Sequence, residues 1–161
     1  MSPSDGASAS SLAEQAVFFS GDVARIAGVS ARQLQWLDER QVVSPRKEGR
    51  RRKYAAQQVL EVLIVSSLRR KGLSLQRLRR VLRLVRRELG QYSEGASAGP
   101  SKLYLLTNGD SIHFETQPEG IIDRLIGAKT AMYLVSLSDL SRTITSEKPA
   151  RRSRTRQLVL F

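Results

Sequence analysis

The side chains with the clearest chemical potential are cationic, and they are concentrated in one segment. Residues 46–87 contain 15 Lys and Arg side chains but only two carboxylates, Glu48 and Glu61. The 161-residue chain carries a formal net charge of +12, and this segment alone exceeds it. Guanidinium and ammonium groups bind phosphate oxygens, and so many like charges repel each other unless a polyanion is near. The charge pattern therefore favours a nucleic acid or an anionic membrane surface as partner.

Other kinds of chemistry lack the residues they need. The chain has no Cys, which excludes disulfides, thiolate metal sites and Cys nucleophiles. A single His leaves little basis for a His-based metal site within one subunit. No carboxylate pair, nucleophile–base set or Gly-rich phosphate loop stands out. We therefore expect no enzymatic activity, no metal and no cofactor.

The sequence also predicts where the protein works. Residues 1–16 lack the basic start and apolar run of a signal peptide. The most apolar run, Val59–Leu68, is shorter than the roughly 20 residues that span a bilayer. We expect a soluble cytoplasmic protein, associated with the nucleoid and not with a membrane.

A helix-turn-helix is predicted just before the cationic segment. Ser20 is a plausible N-cap for a helix over 20–27, which Gly28 ends. Ser30 is expected to cap a second helix over 31–40. Two short helices joined by a Gly-containing turn are typical of a DNA-binding helix-turn-helix.

Three further elements follow in the cationic segment. Residues 41–53 predict a short hairpin or wing, because a Glu48-Gly49 turn interrupts the run. A helix over 55–71 is apolar nearly all the way round, so it should be buried on more than one side. A helix over 74–89 has one apolar seam, which we assign to the core, with dimerisation as the alternative.

The remainder predicts a small α+β module. Strands at Leu103–Thr107 and Ser111–Glu115 flank the turn Asn108-Gly109, with His113 and Glu115 on the exposed face. A helix over 121–126, a strand over 130–137 and a last turn capped by Ser138 and reaching Ile144 follow. We divide the chain into a disordered tail (1–16), a winged helix-turn-helix domain (17–89), a linker (90–101), the α+β module (102–145) and a basic flexible tail (146–161).

Ordered motifs over about residues 18–85 carry a family resemblance. They are a V-A-x-x-A-G-V-S-x-x-x-L turn (Val23 to Leu34), Pro45, Arg52-Lys53-Tyr54, Leu68-Arg69-Arg70-Lys71-Gly72 and Leu73-Ser74-Leu75. Together they resemble the DNA-binding domain of bacterial MerR-type transcription regulators. The resemblance implies an α-helical winged helix-turn-helix domain that binds a near-palindromic promoter site as a homodimer. The small α+β module then follows it, with sensing, dimerisation or protein binding as its open roles.

The same resemblance indicates which residues would contact bases and which would contact phosphates. Base readout falls to the start of the second helix, at Arg32, Gln33 and Gln35. The expected phosphate and wing residues are Ser30, Trp36, Arg46, Lys47, Arg50, Arg51, Arg52, Lys53, Tyr54 and Lys71. Core packing is the alternative for Trp36 and Tyr54. Gln35-Trp36 stands where the family commonly has an Arg-Tyr pair.

The chain ends in a second recognisable pattern. Gln157, Leu158, Leu160 and Phe161 in QLVLF resemble the motif with which bacterial proteins bind the replicative sliding clamp. The alternatives are a last strand added to the α+β module and an apolar end without a role.

These observations lead to one main functional hypothesis and two alternatives. The main hypothesis is a sequence-specific, double-stranded-DNA-binding transcription regulator. The alternatives are a DNA-bound adaptor that docks the clamp or another partner through its tail, and a nonspecific architectural DNA binder.

Overall fold

The computed structural model describes residues 16–94 and 102–146, which form six helices and two three-stranded antiparallel sheets. In chain order the elements are β1 (Val17–Phe19), α1 (Ser20–Ala27), α2 (Ala31–Glu39), β2 (Arg46–Glu48), β3 (Arg51–Ala55), α3 (Ala56–Arg70), α4 (Leu75–Glu94), β4 (Tyr104–Thr107), β5 (Ile112–Glu115), α5 (Pro118–Gly127), β6 (Tyr133–Ser136) and α6 (Leu137–Ser146). The predictions for residues 1–15, 95–101 and 147–161, including the QLVLF tail, lie outside the described residues.

Local capping signals define the helix-turn-helix formed by α1 and α2. Gly28 adopts a left-handed φ of 64° and ends α1, as predicted. Ser30 is the N-cap of α2, also as predicted. The prediction for Ser20 is wrong. The N-cap of α1 is Phe19, whose backbone N–H donates to a carboxylate oxygen of Asp22 at 3.0 Å.

The first sheet has the order β1-β3-β2 and carries a cationic hairpin, formed by β2 and β3 (residues 46–55). Arg46 pairs with Lys53 and Glu48 with Arg51 across the hairpin. Gly49 adopts a φ of 62° at the turn, a conformation that residues with a Cβ rarely adopt. The β1 strand pairs with the other edge of β3 and joins the hairpin to the start of α1.

Helix α3 lies at the centre of the molecule, in agreement with its apolar sequence. Its buried residues face several directions, and it packs against α1, α4, β6 and α6. One continuous core therefore includes residues from Phe18 to Ile144. The α+β unit is thus not a separate globule, because it shares this core with the helix-turn-helix region.

Helix α4 contributes its seam to that core. Leu78, Leu82 and Val85 of the seam are buried, and Leu75 and Leu89 pack against the core, so the core interpretation of the seam is confirmed. The helix continues to Glu94, so the prediction that a linker starts at residue 90 is wrong. Composition misled the prediction there, because a single Gly is tolerated within a helix at a cost of only about 1 kcal/mol.

The second sheet has the order β5-β4-β6, and the hairpin around Asn108-Gly109 is present. The last helix starts at Leu137, so Ser138 is not its cap. Instead, the hydroxyl of Ser136 accepts a hydrogen bond from the backbone of Asp139 at 3.4 Å. His113 and Glu115 are half-buried and not exposed, because α5 packs against β5.

Candidate nucleic-acid interface

The first turn of α2 presents an exposed surface that its cap holds in place. The side-chain oxygen of Ser30 accepts from the backbone N–H of Gln33 at 3.1 Å, and the backbone N–H of Ser30 donates to Gln33 Oε1 at 2.8 Å. Leu34 and Leu37 fix the opposite face of the helix in the core. The first turn is therefore a rigid platform with its polar side chains directed to solvent.

The three residues expected to read bases differ in their availability. Arg32 is exposed and has no hydrogen-bond or ion-pair partner among the described residues. Gln33 uses its carboxamide oxygen in the cap, and Gln35 Nε2 donates to Glu39 Oε1 at 2.8 Å. A bidentate contact with adenine would require either Gln to exchange a partner. The cap role of Gln33 was missed, although Ser and Gln three residues apart are its sequence signature.

The cationic hairpin is fixed to α2 by one carboxylate. Arg52 Nε donates to Asp38 Oδ2 at 2.8 Å, and Lys47 Nζ lies 3.7 Å from the same oxygen. The hydrogen bond to Asp38 raises the pKa of Arg52 above its ordinary value, so its charge is retained. Asp38 thereby sets the position of the hairpin relative to the first turn of α2.

The other cations of the hairpin divide into engaged and available groups. Lys53 forms an ion pair with Glu48, and the guanidinium of Arg51 lies over the Phe19 ring, 5.4 Å from its centroid. Arg46 and Arg50 are exposed, without a hydrogen-bond or ion-pair partner in the described ranges. These two are the side chains of the hairpin most available to phosphate oxygens.

Tyr54 is a core residue and not a surface contact. Its side chain is 1% exposed, and burial raises the pKa of its hydroxyl. The expected phosphate contact would require an accessible hydroxyl, so the packing alternative replaces it. Strand alternation explains how a buried Tyr54 can follow a cation, because Lys53 points to the other face of β3.

Trp36 and Lys71 are also engaged within the molecule. Trp36 is half-buried against the core, and the guanidinium of Arg69 stacks over its ring at 4.2 Å. Lys71 remains exposed, but its Nζ donates to the backbone carbonyl of Leu134 at 2.5 Å. Neither contact has a local sequence signal, because each joins residues distant in the chain.

A cationic cleft on α4 was not predicted as a site. Arg79, Arg83, Arg86 and Arg87 line a cavity of about 650 Å³ beside Gln41 and Val42. Arg86 is held by Glu61, a buried carboxylate, through two bonds of 2.9 and 3.0 Å. Glu61 within the apolar sequence of α3 was the available signal, because a buried carboxylate requires a partner.

The α+β unit contains a polar cleft of about 590 Å³ lined by His113, Asp123, Arg124 and Lys129, among others. Burial, with Arg124 nearby, lowers the pKa of His113. Within residues 16–94 and 102–146, no three His, Asp or Glu side chains are grouped to hold a metal ion. Over the same ranges, no helix combines the length and apolar character that crossing a membrane requires.

Comparison with known protein families gives a match to the region that carries these contacts. Residues 19–84 match the family model described as MerR HTH family regulatory protein. No curated protein matches the chain. The matched residues include the first turn of α2 and the cationic hairpin. They also include Arg79 and Arg83 of the cationic cleft on α4.

Proposed function

We propose that the protein is a sequence-specific DNA-binding transcription regulator, because its residues 19–84 match the family model of MerR helix-turn-helix regulatory proteins. It binds a near-palindromic double-stranded site as a dimer. Helix α2 enters the major groove, and the cationic hairpin acts as a wing on the flanking backbone.

The observation that carries the proposal is the connection between the hairpin and α2 through Asp38. A base contact and a phosphate contact reinforce one another only if the distance between the two protein groups is fixed. Otherwise, ordering these groups on binding costs conformational entropy and weakens the affinity. The Arg52–Asp38 bond provides that constraint between the two elements. Arg32 and the pair Arg46 and Arg50 then belong to one rigid surface.

The division of roles within this surface follows from the reach of each side chain. Arg32 on the first turn of α2 reads a base edge, with guanine as its preferred partner. Arg46, Arg50 and Lys47 bind phosphates and provide affinity without sequence information. Gln33 and Gln35 contribute readout only where the DNA displaces Ser30 or Glu39.

Selection of bound duplexes from a random library tests the proposal, with the full chain at near-physiological salt. The expected result is enrichment of an inverted repeat whose half-sites are about 10 base pairs apart, or a multiple of that. Binding without enrichment would replace the proposal with a nonspecific architectural binder. Absence of binding would exclude both.

The adaptor alternative is tested with the same library. It depends on residues 157–161, which lie outside the described residues. A chain lacking these residues should select the same DNA as the full chain if the tail serves only a protein partner. Purified sliding clamp is the probe for that partner, and failure of the full chain to bind it would remove this alternative.

A further inference from the structure

Helix α4 carries a cationic cleft that the proposed DNA contacts do not use. The cleft has a volume of about 650 Å³ and is lined by Gln41, Val42, Arg79, Arg83, Arg86 and Arg87. Its four arginines fall within about 100° of one another around the helix, so they form one side of it. The volume lies within the range of small-molecule sites, about 300–1,000 Å³.

Two of the four guanidinium groups are held in place by the protein. Arg86 Nε donates to Glu61 Oε1 at 2.9 Å, and its Nη2 donates to Glu61 Oε2 at 3.0 Å and to the carbonyl of Val42 at 2.9 Å. Arg79 Nη2 donates to the carbonyl of Arg40. The Nη1 group of Arg86 therefore keeps both of its N–H donors for a ligand, in a position that the other two nitrogens fix.

Glu61 fixes Arg86 from within the core. Its side chain is buried in the apolar helix α3. A buried ion pair of this kind adds little net stability, because the cost of desolvating both charges offsets their attraction. Its clear consequence is a guanidinium of fixed position at the wall of the cleft. Donors that are already ordered reduce the entropy that binding a ligand costs.

The other arginines of the cleft have no carboxylate to balance them. Arg83 and Arg87 are exposed, and neither has a hydrogen-bond or ion-pair partner in the part of the chain that the structure describes. Glu88, the neighbouring carboxylate on α4, is about half a turn from Arg86, on the side that faces β5. Glu61 thus balances one of four positive charges, and the cleft is suited to an anion.

The cleft lies at the opposite end of α2 from the residues proposed to read bases. Gln41 and Val42, which form its wall, follow the last turn of that helix. Ala31 and Arg40 are nine residues apart, which corresponds to about 13 Å along the helix axis. Because the first turn of α2 enters the groove in the proposed complex, the cleft is at the far end of the helix from that duplex.

Gln41 adds a neutral donor to the arginines. Its backbone has a φ of 57°, the left-handed conformation that Gly or Asn usually supplies after the end of a helix. Gln in this place gives the wall of the cleft an exposed carboxamide, whose N–H groups can donate to an anion.

The donors and dimensions of the cleft match a chain of phosphate groups. A guanidinium presents paired N–H donors that fit phosphate oxygens. Arg79 and Arg87 are eight residues apart, so the row of arginines is about 12 Å long, more than a single phosphate ion can contact. We propose that the cationic cleft binds a small molecule that carries two or more phosphate groups.

Isothermal titration calorimetry with the full chain, in a phosphate-free buffer at near-physiological salt, tests the inference. Inorganic tripolyphosphate and ATP are the probes, and adenosine is the control without phosphate. We expect both probes to bind and adenosine not to bind. Equal affinities would identify the phosphate chain alone as the recognised group, and a higher affinity for ATP would identify a nucleotide. Failure of both probes to bind at millimolar concentration would overturn the inference.

A double variant separates the cleft from the general positive charge of the chain. Arg83→Ala with Arg87→Ala should weaken tripolyphosphate binding about 100-fold, at about tenfold for each guanidinium. Lys102→Ala with Arg142→Ala is the matched control, because it removes two exposed cations of the α+β unit. The control should bind tripolyphosphate like the wild type, and circular dichroism should show the same helix content in all chains. No loss in the cleft variant, or an equal loss in the control, would overturn the inference.

DNA binding distinguishes this site from the proposed function. The cleft variant should bind the selected duplex as tightly as the control variant does, because the cleft is remote from the first turn of α2. A weaker affinity for DNA than in the control would reassign the cleft to DNA phosphates and overturn the inference. A wild type that binds tripolyphosphate through Arg83 and Arg87 but selects no DNA sequence keeps the inference and loses the proposed function.

Discussion

Arg52 on β3 and Asp38 on α2 are joined by a hydrogen bond of 2.8 Å between Nε and Oδ2, with side chains that are 26% and 11% exposed. The contact joins α2 to the cationic hairpin. These two elements are separate in the sequence but lie together in one surface. It gives a cation of the hairpin a positioning role in addition to its charge. Replacing Asp38 should therefore change DNA affinity in one direction if the contact acts through position, and in the opposite direction if it acts through charge alone.

Asp38→Asn is the first test of that role. The substitution removes a negative charge, so electrostatics alone would tighten binding to DNA. We expect binding to weaken about fivefold instead, because the hairpin loses its fixed position at a cost of about 1 kcal/mol. Fluorescence anisotropy with the selected duplex measures the change.

Asp139→Asn is the matched control for this substitution. Asp139 is an exposed carboxylate on α6 with an ion pair to Arg142 at 3.3 Å. Its replacement changes the net charge equally without touching the hairpin. If Asp38→Asn behaves like the control, or tightens binding, Asp38 does not position the hairpin.

The second prediction concerns the two available cations of the hairpin. Arg46→Ala and Arg50→Ala should each reduce the slope of log affinity against log salt by about 0.9, because each removes one phosphate contact. The loss should be the same for the selected site and for unrelated duplexes. Arg142→Ala is the control, because Arg142 is an exposed cation on α6. An equal loss of slope in the control would indicate a general charge effect.

Much of this region follows from the sequence because its signals are local. Ser30 and Gly28 mark a cap and a helix end within one or two turns of the residues that they affect. The burial of α3 is predicted for a similar reason, since its apolar residues surround the helix. These features need no knowledge of what lies elsewhere in the chain.

The contacts that organise the candidate site are of the opposite kind. Asp38 lies 14 residues from Arg52, and Lys71 lies 63 residues from Leu134. No periodicity or spacing relates such pairs, because the fold alone brings them together. Sequence reasoning therefore found the cations but not which of them are engaged. The Ser30–Gln33 capping box is a local signal that it overlooked.

The third prediction separates base readout from phosphate binding. Arg32→Ala should cost about 1–3 kcal/mol on the selected duplex and should flatten the base preference at one position in each half-site. The salt slope should stay close to that of the wild type. Arg50→Ala should do the reverse, with lower affinity and an unchanged preference. An Arg32→Ala profile identical to the wild type would show that Arg32 does not read a base.

The fourth prediction uses the burial of Tyr54. Tyr54→Phe should leave DNA affinity and the salt slope unchanged, because the hydroxyl does not reach the surface. A weaker affinity with an unchanged fold would restore the phosphate contact. Fluorescence anisotropy with the selected duplex measures this affinity. The measurement is independent of any effect of the substitution on the stability of the fold.

That stability effect depends on pH in a defined direction. Burial raises the pKa of Tyr54 above its ordinary value of 10, so the folded chain retains a proton that the unfolded chain loses. At pH values above about 10 the unfolded state therefore binds fewer protons, and the free energy of unfolding falls as pH rises. Tyr54→Phe should reduce this alkaline loss, as measured by urea unfolding between pH 8 and about 11. An unchanged profile in Tyr54→Phe would mean that other groups cause the alkaline loss.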